Sequence, residues 1–195
     1  MEVNPLIDKK ADIFSCGKDL FWSKGFKDTN VSDITKMAGI GVGTFYNYYS
    51  SKEQLFLEIY LKESEELRKR IIASADLNDE PVKVAKEVCS QFFSGMNSNP
   101  ILKGWYDRDV FRILQQYYHE ENGKDFYHDF FAQLTIKWQS EGKIRSDIDH
   151  ELILALFSSL AYIDTHKREI GIGFFPQIID YLAEFIAKGL LVAKK

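Results

Sequence analysis

Residues 38–56 read AGIGVGTFYNYYSSKEQLF, and this stretch gives the clearest indication of the fold. A short helix predicted over residues 31–38 ends at Gly39, and a second short helix is predicted over residues 42–48. Two short helices joined by a tight turn that contains glycine are typical of a helix-turn-helix. Such pairs also occur in many helical bundles, so the turn alone leaves both interpretations open.

The second short helix has two chemically different sides. At 100° per residue, with Phe45 as the inward residue, a helical wheel predicts which neighbours share its buried side. That side holds Gly41, Val42 and Tyr49. The outward side holds Gly43 and Asn47, flanked by Thr44 and Tyr46. Small, polar and phenolic groups without long aliphatic ones suit a helix that lies in the major groove of DNA.

Each outward group has a predicted role. Phenolic and hydroxyl groups can donate hydrogen bonds to phosphates, and a lysine at a helix N-terminus can hold a phosphate. An asparagine can pair with adenine, a glycine lets the backbone approach the base edges, and a methyl group can touch thymine. The predicted DNA-binding residues are Ser32, Lys36, Val42, Gly43, Thr44, Tyr46, Asn47, Tyr48 and Lys52.

Residues 38–56 closely resemble the helix-turn-helix signature of TetR-type transcriptional regulators, also called the TetR/AcrR family. The flanking Phe21-(x)3-Gly25-Phe26-(x)2-Thr29 and Val31-(x)2-Ile34 resemble the same family. By residue matching, the phosphate-contacting positions of the family fall on Thr44, Tyr46, Tyr48 and Lys52. The positions that tend to meet bases fall on Val42, Gly43 and Asn47.

The resemblance implies an all-α subunit in two domains. Residues 1–50 would form a three-helix DNA-binding domain, and a long linker helix would join it to a helical effector-binding and dimerisation domain over residues 51–195. The family is usually dimeric and usually represses transcription. This chain departs from many members at Gly41-Val42, where they carry Ser-Lys, so a helix cap and a positive charge are missing. We therefore expect part of the specificity to come from operator shape.

Composition supports a helical, globular chain and excludes several classes. The 195 residues are 45% hydrophobic and 28% charged with only 4 prolines, and no export signal or run of about 18 apolar residues occurs. We expect a cytoplasmic protein without membrane contact, with Cys16 and Cys89 as reduced thiols. The net charge is -4, and residues 1–53 hold seven Lys against seven Asp or Glu. Bulk charge therefore does not attract DNA, and we expect two copies of the module to be needed.

The last two predicted helices, residues 149–169 and 176–192, are apolar on more than one face. A helix of this kind buries two sides, one against its own subunit and one against a partner. The predicted homodimer interface consists of Leu152, Leu156, Leu160, Ile178, Leu182 and Phe185. A wholly intramolecular core is the alternative.

The central segments, predicted as helices over residues 101–118 and 121–141, are rich in large aromatic side chains. Aromatic walls with a few polar tips suit a cavity for a small apolar ligand, although a filled aromatic core would have the same composition. The predicted ligand-binding residues are Trp105, Arg108, Phe111, Tyr118, Phe130 and Tyr162. Arg108 and Arg112 would meet an anion or pair with neighbouring aspartates. A ligand wedged here would tilt the linker helix over residues 52–74 and change the spacing of the two recognition helices.

Together with what the resemblance implies, these patterns predict a repressor that an unidentified apolar or aromatic effector releases from a palindromic DNA operator. A DNA-bound scaffold that recruits a protein through its helical body, without an effector, is the alternative. An enzyme is not expected, because the sequence lacks a catalytic motif and its histidines lack metal-ligand spacing. Those histidines are His119, His128, His150 and His166. No cofactor and no metal are predicted.

Overall fold

The computed structural model describes the backbone of residues 5–120 and 126–192 and the side chains of residues 9–117 and 130–192. Ten α-helices lie within these ranges: α1 Pro5–Lys24, α2 Val31–Met37, α3 Val42–Tyr46, α4 Lys52–Ser74, α5 Pro81–Ser98, α6 Arg108–Glu120, α7 Phe126–Ser140, α8 His150–Thr165, α9 Lys167–Ile170 and α10 Gln177–Leu190. Short 3₁₀ helices cover Leu102–Tyr106 and Ile172–Phe174. The predicted all-α fold is confirmed.

Helix ends follow local capping chemistry. Gly25, with φ +80°, directly follows α1, as is common for a glycine that ends a helix. The prediction of a single helix over residues 101–118 is wrong. The backbone of Asp107 is extended and separates a 3₁₀ helix from α6. The Asp107 carboxylate accepts hydrogen bonds from the backbone N–H groups of Asp109 (2.9 Å) and Val110 (3.1 Å), so it caps α6. Likewise, the helix predicted over residues 149–169 is divided at His166 into α8 and α9.

The chain forms two compact units. The first combines Met1–Leu67 with Met96–Tyr117, and the second combines Arg68–Gly95 with Tyr118–Lys195. The first unit therefore extends past residue 50, and the functional division between residues 50 and 51 stays a prediction.

The core of the first unit gathers apolar side chains from α1 to α4. Its fully buried members include Ile13, Phe21, Ile34, Phe45, Leu55, Phe56 and Ile59. Gly17 allows α1 to approach α4 closely, since a Cβ at this position would lie 2.7 Å from Leu55 Cδ2. The Phe56 ring packs edge-on against Phe21 at 5.1 Å and against Phe26 at 4.9 Å. These rings fix the end of α1 on the beginning of α4.

In the second unit, α8 packs against both α7 and α10. The rings of Phe131 and Phe157 stack with their centroids 4.4 Å apart, and Trp138 of α7 is also fully buried. On α10, Glu184 pairs with Lys188 of the same helix and with Lys86 of α5. Hydrogen bonds from these two ammonium groups lower the pKa of Glu184 to about 2.

Candidate DNA-binding surface

The turn between α2 and α3 is a hydrogen-bonded Schellman motif. The N–H of Ile40 donates to the carbonyl of Thr35 (3.0 Å), and the N–H of Gly39 donates to that of Lys36 (3.4 Å). Gly39 has φ +66°, a conformation that disfavours side chains with a Cβ. At the other end of α2, Asn30 Oδ1 accepts a hydrogen bond of 2.8 Å from the N–H of Asp33 and caps the helix. The helix-turn-helix is thus built from local capping bonds.

The α3 helix is held mainly by aromatic anchors. It has only five residues and begins at Gly41, which has no side chain to cap it. Phe45 within α3 and Tyr49 just beyond it are both fully buried, with their ring centroids 5.8 Å apart. Burial raises the pKa of Tyr49, and the nearby charge of Glu58 adds to this, so the phenol stays neutral in the core. The end predicted for this helix, at residue 48, lies two residues beyond the observed one.

The outward side of α3 and the adjoining face of α2 expose most of the predicted DNA contacts. We define the reading surface as the exposed residues Ser32, Lys36, Val42, Gly43, Tyr46 and Asn47. Tyr46 is 54% exposed, although its ring edge touches that of Phe45 at a centroid distance of 5.4 Å. A Cβ built on Gly43 meets no atom of the described residues within 4 Å. Thr44 and Tyr48 are half-buried at the border.

The helical wheel is wrong for Gly41 and Val42. It places both on the buried side with Phe45, but both are exposed, Val42 to 46%. They lie at the beginning of α3, whereas the side chains that anchor the helix, Phe45 and Tyr49, lie towards its end. The exposure of Val42 is compatible with its predicted contact with a base.

Lys52 has a structural engagement that sequence reasoning missed. Its Nζ donates hydrogen bonds to the backbone carbonyls of Phe26 (2.8 Å) and Thr29 (2.7 Å). The same Nζ lies 4.1 Å from the centroid of the Phe26 ring. The first turn of α4 is capped, since Ser51 Oγ accepts a hydrogen bond of 3.2 Å from the N–H of Gln54. Nothing in the spacing of the sequence identifies the two carbonyls, because they are backbone groups of a distant turn.

The predicted ligand-binding residues are distributed over both units. In the first unit, the Trp105 ring meets the Phe111 ring edge-on at 5.0 Å, and Arg108 is exposed. Arg112 Nη2 lies 2.6 Å from Asp109 Oδ1, so this arginine forms the ion pair with a neighbouring aspartate that was the alternative to binding an anion. In the second unit, Phe130 is half-buried.

Two further ligand predictions have different outcomes. Tyr162 is 60% exposed on α8, and the prediction that it lines an enclosed cavity is not compatible with this exposure within one chain. The helical periodicity of α8 marks it as apolar nearly all round, so it did not distinguish the two sides of the helix. The Tyr118 side chain lies outside the described residues.

Three of the six predicted dimer residues, Leu152, Leu156 and Phe185, are exposed on α8 and α10. We define the α8–α10 face as the exposed Leu152, Leu156, Tyr162, Tyr181 and Phe185. Ile178 and Leu182 are half-buried beside it. The predicted dimer contact is wrong for Leu160, which is 1% exposed and belongs to the core of its own unit. Exposed large apolar side chains that adjoin one another mark interaction surfaces, and here the rings of Tyr181 and Phe185 lie 5.9 Å apart.

The described side chains also bear on metal and membrane binding. Among them, no three His, Cys, Asp or Glu residues are grouped so as to hold a metal ion. His119 and His128 have side chains outside the described residues. Burial raises the pKa of the Cys89 thiol to about 12, so the residue is an unreactive core group. Within the described parts of the chain, no helix is long and apolar enough to span a bilayer.

Comparisons with known proteins agree with this geometry. The family of bacterial regulatory proteins called the tetR family matches residues 13–59, which contain α2, α3 and most of α1. The HTH-type transcriptional regulator YhgD of Bacillus subtilis is 33% identical over 64 residues, covering 33% of this chain and 34% of YhgD. YdgC, another such regulator from Bacillus subtilis, is 26% identical over 145 residues, covering 67% of this chain and 74% of YdgC. The chain thus spans about a third of the first relative's length and about three quarters of the second's.

A solved structure extends the likeness to the whole fold. FadR from Thermus thermophilus, a TetR-family transcriptional repressor in complex with lauroyl-CoA, superposes with a TM-score of 0.67. It is 20% identical to this chain, and the match covers 95% of this chain and 97% of that one. The proteins of this group are transcriptional regulators and not enzymes. The local helix-turn-helix geometry and the family match together show that residues 13–59 form a helix-turn-helix segment of the tetR family of bacterial regulatory proteins, and the solved structure shows the same fold over nearly the whole chain.

Proposed function

We propose that this protein is a repressor that binds a palindromic DNA operator as a homodimer and is released by a small apolar or aromatic effector. The observation that carries the proposal is the reading surface, where an open glycine stands among polar and phenolic groups on a firmly anchored α3. A helix that presents such groups outward while its aromatic anchors are buried is suited to the major groove.

The proposed contacts divide into phosphate and base contacts. Tyr46 is exposed, and it is assigned to phosphates together with the half-buried Thr44 and Tyr48. Asn47 ends α3 with its side chain exposed, which suits a paired contact with adenine. The open space at Gly43 would let the backbone of α3 approach the base edges closely.

A homodimer is favoured by the α8–α10 face and by the charge balance. The face exposes large apolar side chains that a second copy would cover in a symmetric contact. Because residues 1–53 carry no net charge, one module has little non-specific attraction for DNA. Two modules held one helical turn of DNA apart would supply the missing affinity by binding both half-sites.

The effector is proposed from the aromatic content of the chain. Trp105 and Phe111 are half-buried and in contact, and Phe130 is half-buried. Lauroyl-CoA is the ligand of the Thermus FadR, but at 20% identity that protein supports only the fold. We therefore propose an apolar or aromatic effector without assigning its structure.

Selection of bound duplexes from a random-sequence pool tests the DNA-binding proposal most directly. We expect an enriched palindrome whose half-site centres are about 10 base pairs apart, or a multiple of this. The double variant Tyr46→Phe/Asn47→Ala should bind the selected operator at least about tenfold more weakly, since it removes a base contact of about 1–3 kcal/mol at Asn47 and a hydrogen bond to a charged phosphate at Tyr46. The control Trp22→Phe/Ser23→Ala changes exposed residues of α1 outside the reading surface and should bind like the wild type. Equal binding by all three proteins would contradict the proposal.

The effector proposal has a separate test. Operator release is titrated with aromatic compounds and with acyl thioesters of increasing chain length. Release by one class, together with its saturable binding to the DNA-free protein, supports a ligand-responsive repressor. If bound compounds leave the affinity for the operator unchanged, the scaffold without an effector is the better description.

A further inference from the structure

We propose that Lys52 is a positioning residue of the helix-turn-helix. Its ammonium group donates to two backbone carbonyls of the turn between α1 and α2. These bonds fix the position of α2 relative to the beginning of α4. The ammonium group therefore does not serve to neutralise a DNA phosphate. The proposal rests on the DNA-binding function proposed above. It assigns this lysine a role different from that of the exposed Lys36.

The contacts of Lys52 leave its ammonium largely occupied. Two of its three N–H donors are used at short distance, 2.8 Å to Phe26 O and 2.7 Å to Thr29 O. The Phe26 ring lies 4.1 Å from Nζ, within the range of a cation–π interaction. Both carbonyls follow the C-terminal end of α1, where the helix dipole favours a positive charge. A phosphate would have to compete with all of these interactions.

The turn that Lys52 holds leads directly into α2. Thr29 is 1% exposed, its hydroxyl donates to Gly25 O (2.8 Å), and its carbonyl accepts from Lys52. The next residue, Asn30, is the N-cap of α2. The position of the first turn of α2 therefore depends on the position of the Lys52 ammonium, which is carried by α4.

Aromatic packing makes the same connection independently. The Phe26 ring contacts the rings of Phe56 on α4 at 4.9 Å and Phe21 on α1 at 6.0 Å. Lys52 thus lies against a ring that is already fixed, and a loss of either partner should loosen the same turn. Since α2 is joined to α3 by the short Schellman turn, a shift of α2 would displace the reading surface.

The test compares three variants at a temperature well below the Tm of each. Lys52→Met keeps the aliphatic stem and removes the ammonium. Lys36→Met removes a matched positive charge from the exposed face of α2. Phe26→Leu removes the ring without changing the charge. The dissociation constant for the selected operator is measured over a range of salt concentrations, and amide hydrogen exchange is measured on the DNA-free proteins.

A positioning role predicts a specific combination of results. Lys52→Met and Phe26→Leu should weaken operator binding about tenfold or more with an unchanged salt slope, while amides of residues 29–34 exchange faster in both. Lys36→Met should lower the magnitude of the salt slope by about 0.9, as expected for one lost phosphate contact, with unchanged exchange.

The proposal is overturned if the salt slope of Lys52→Met falls by about 0.9, because the lysine would then neutralise a phosphate. It is also overturned if exchange at residues 29–34 is unchanged in this variant. If wild-type protein binds no duplex, the DNA-binding function fails, but the exchange measurement still decides whether Lys52 holds the turn.

Discussion

Large apolar side chains are used differently in the two units of the molecule. In the first unit, Phe21, Phe45, Tyr49 and Phe56 are all buried, and Phe45 and Tyr49 anchor α3, a helix of five residues that could not fold alone. In the second unit, α8 and α10 bury one side in their own core and leave Leu152, Leu156 and Phe185 exposed. The first set is buried by other side chains of the same chain, whereas the second set is not covered by any part of the chain that the structure describes.

Under the proposed function, this difference separates two requirements of a dimeric DNA-binding protein. A recognition helix must be rigid before it meets DNA, so its anchors belong to the same subunit. The surface that sets the distance between two recognition helices belongs to the pair of subunits, so it stays exposed in one chain. We therefore expect substitutions in the two sets to fail in different assays.

The largest effect is expected from Leu152→Glu on the α8–α10 face. A carboxylate buried at a symmetric apolar contact occurs twice, and each copy costs several kcal/mol. The protein should dissociate from dimer to monomer in analytical ultracentrifugation, and operator affinity should fall by about a hundredfold or more.

Ile136→Glu is the matched control for this prediction. Leu152 and Ile136 are both 54% exposed, and Ile136 lies on α7 outside the α8–α10 face. The control should remain dimeric and bind the operator normally. If Ile136→Glu dissociates and Leu152→Glu remains a dimer, the subunit contact lies outside the α8–α10 face. The proposed difference in how the two units use their apolar side chains would then be wrong.

The next effect in size concerns Gly43 on the reading surface. Because a side chain there meets no described atom, Gly43→Leu should fold normally and gain about 0.5–1 kcal/mol from better helix propensity. The same side chain should keep α3 away from the base edges and weaken operator binding about tenfold or more. Thermal unfolding and operator titration on one preparation measure both quantities. A loss of both stability and affinity would indicate that position 43 is packed and not open.

The first unit was more predictable from sequence than the second. The ends of α1 and α4 and the Asn30 cap depend on residues close in the chain, so they could be predicted. The contact of Lys52 with two distant carbonyls could not, because backbone acceptors leave no trace in the sequence. In the second unit, periodicity found α8 but did not distinguish the buried Leu160 from the exposed Tyr162. A helix that is apolar on two sides gives no signal for which side meets the partner.

A smaller effect is expected from the charge cluster of the second unit at low pH. The folded-state pKa of Glu184 is about 2, against an ordinary value of 4.5, because Lys188 and Lys86 donate hydrogen bonds to it. A lowered pKa contributes stability that is complete above pH 4.5 and is lost as the pH falls from 4.5 towards 2. The difference in unfolding free energy between wild type and Glu184→Gln should therefore shrink over this interval in denaturant titrations.

The control for the charge cluster is Glu169→Gln, which removes one exposed carboxylate from α9 and corrects for the change in net charge. A pH profile of Glu184→Gln that runs parallel to the wild-type profile below pH 4.5 would show that the ion pairs do not persist in solution.

The smallest effect is expected at the beginning of α3, from Gly41→Ser. The backbone of Gly41 has φ -76° and ψ 151°, the extended conformation of an N-cap, and its Cβ position is open. A serine hydroxyl could therefore accept a hydrogen bond from the N–H of Gly43 or Thr44, yet serine exceeds glycine at this position by only a few tenths of a kcal/mol. Thermal denaturation should show a small stabilisation, because Phe45 and Tyr49 already hold the helix. A gain of about 2 kcal/mol or more would mean that α3 is limited by its missing cap and not by its aromatic anchors.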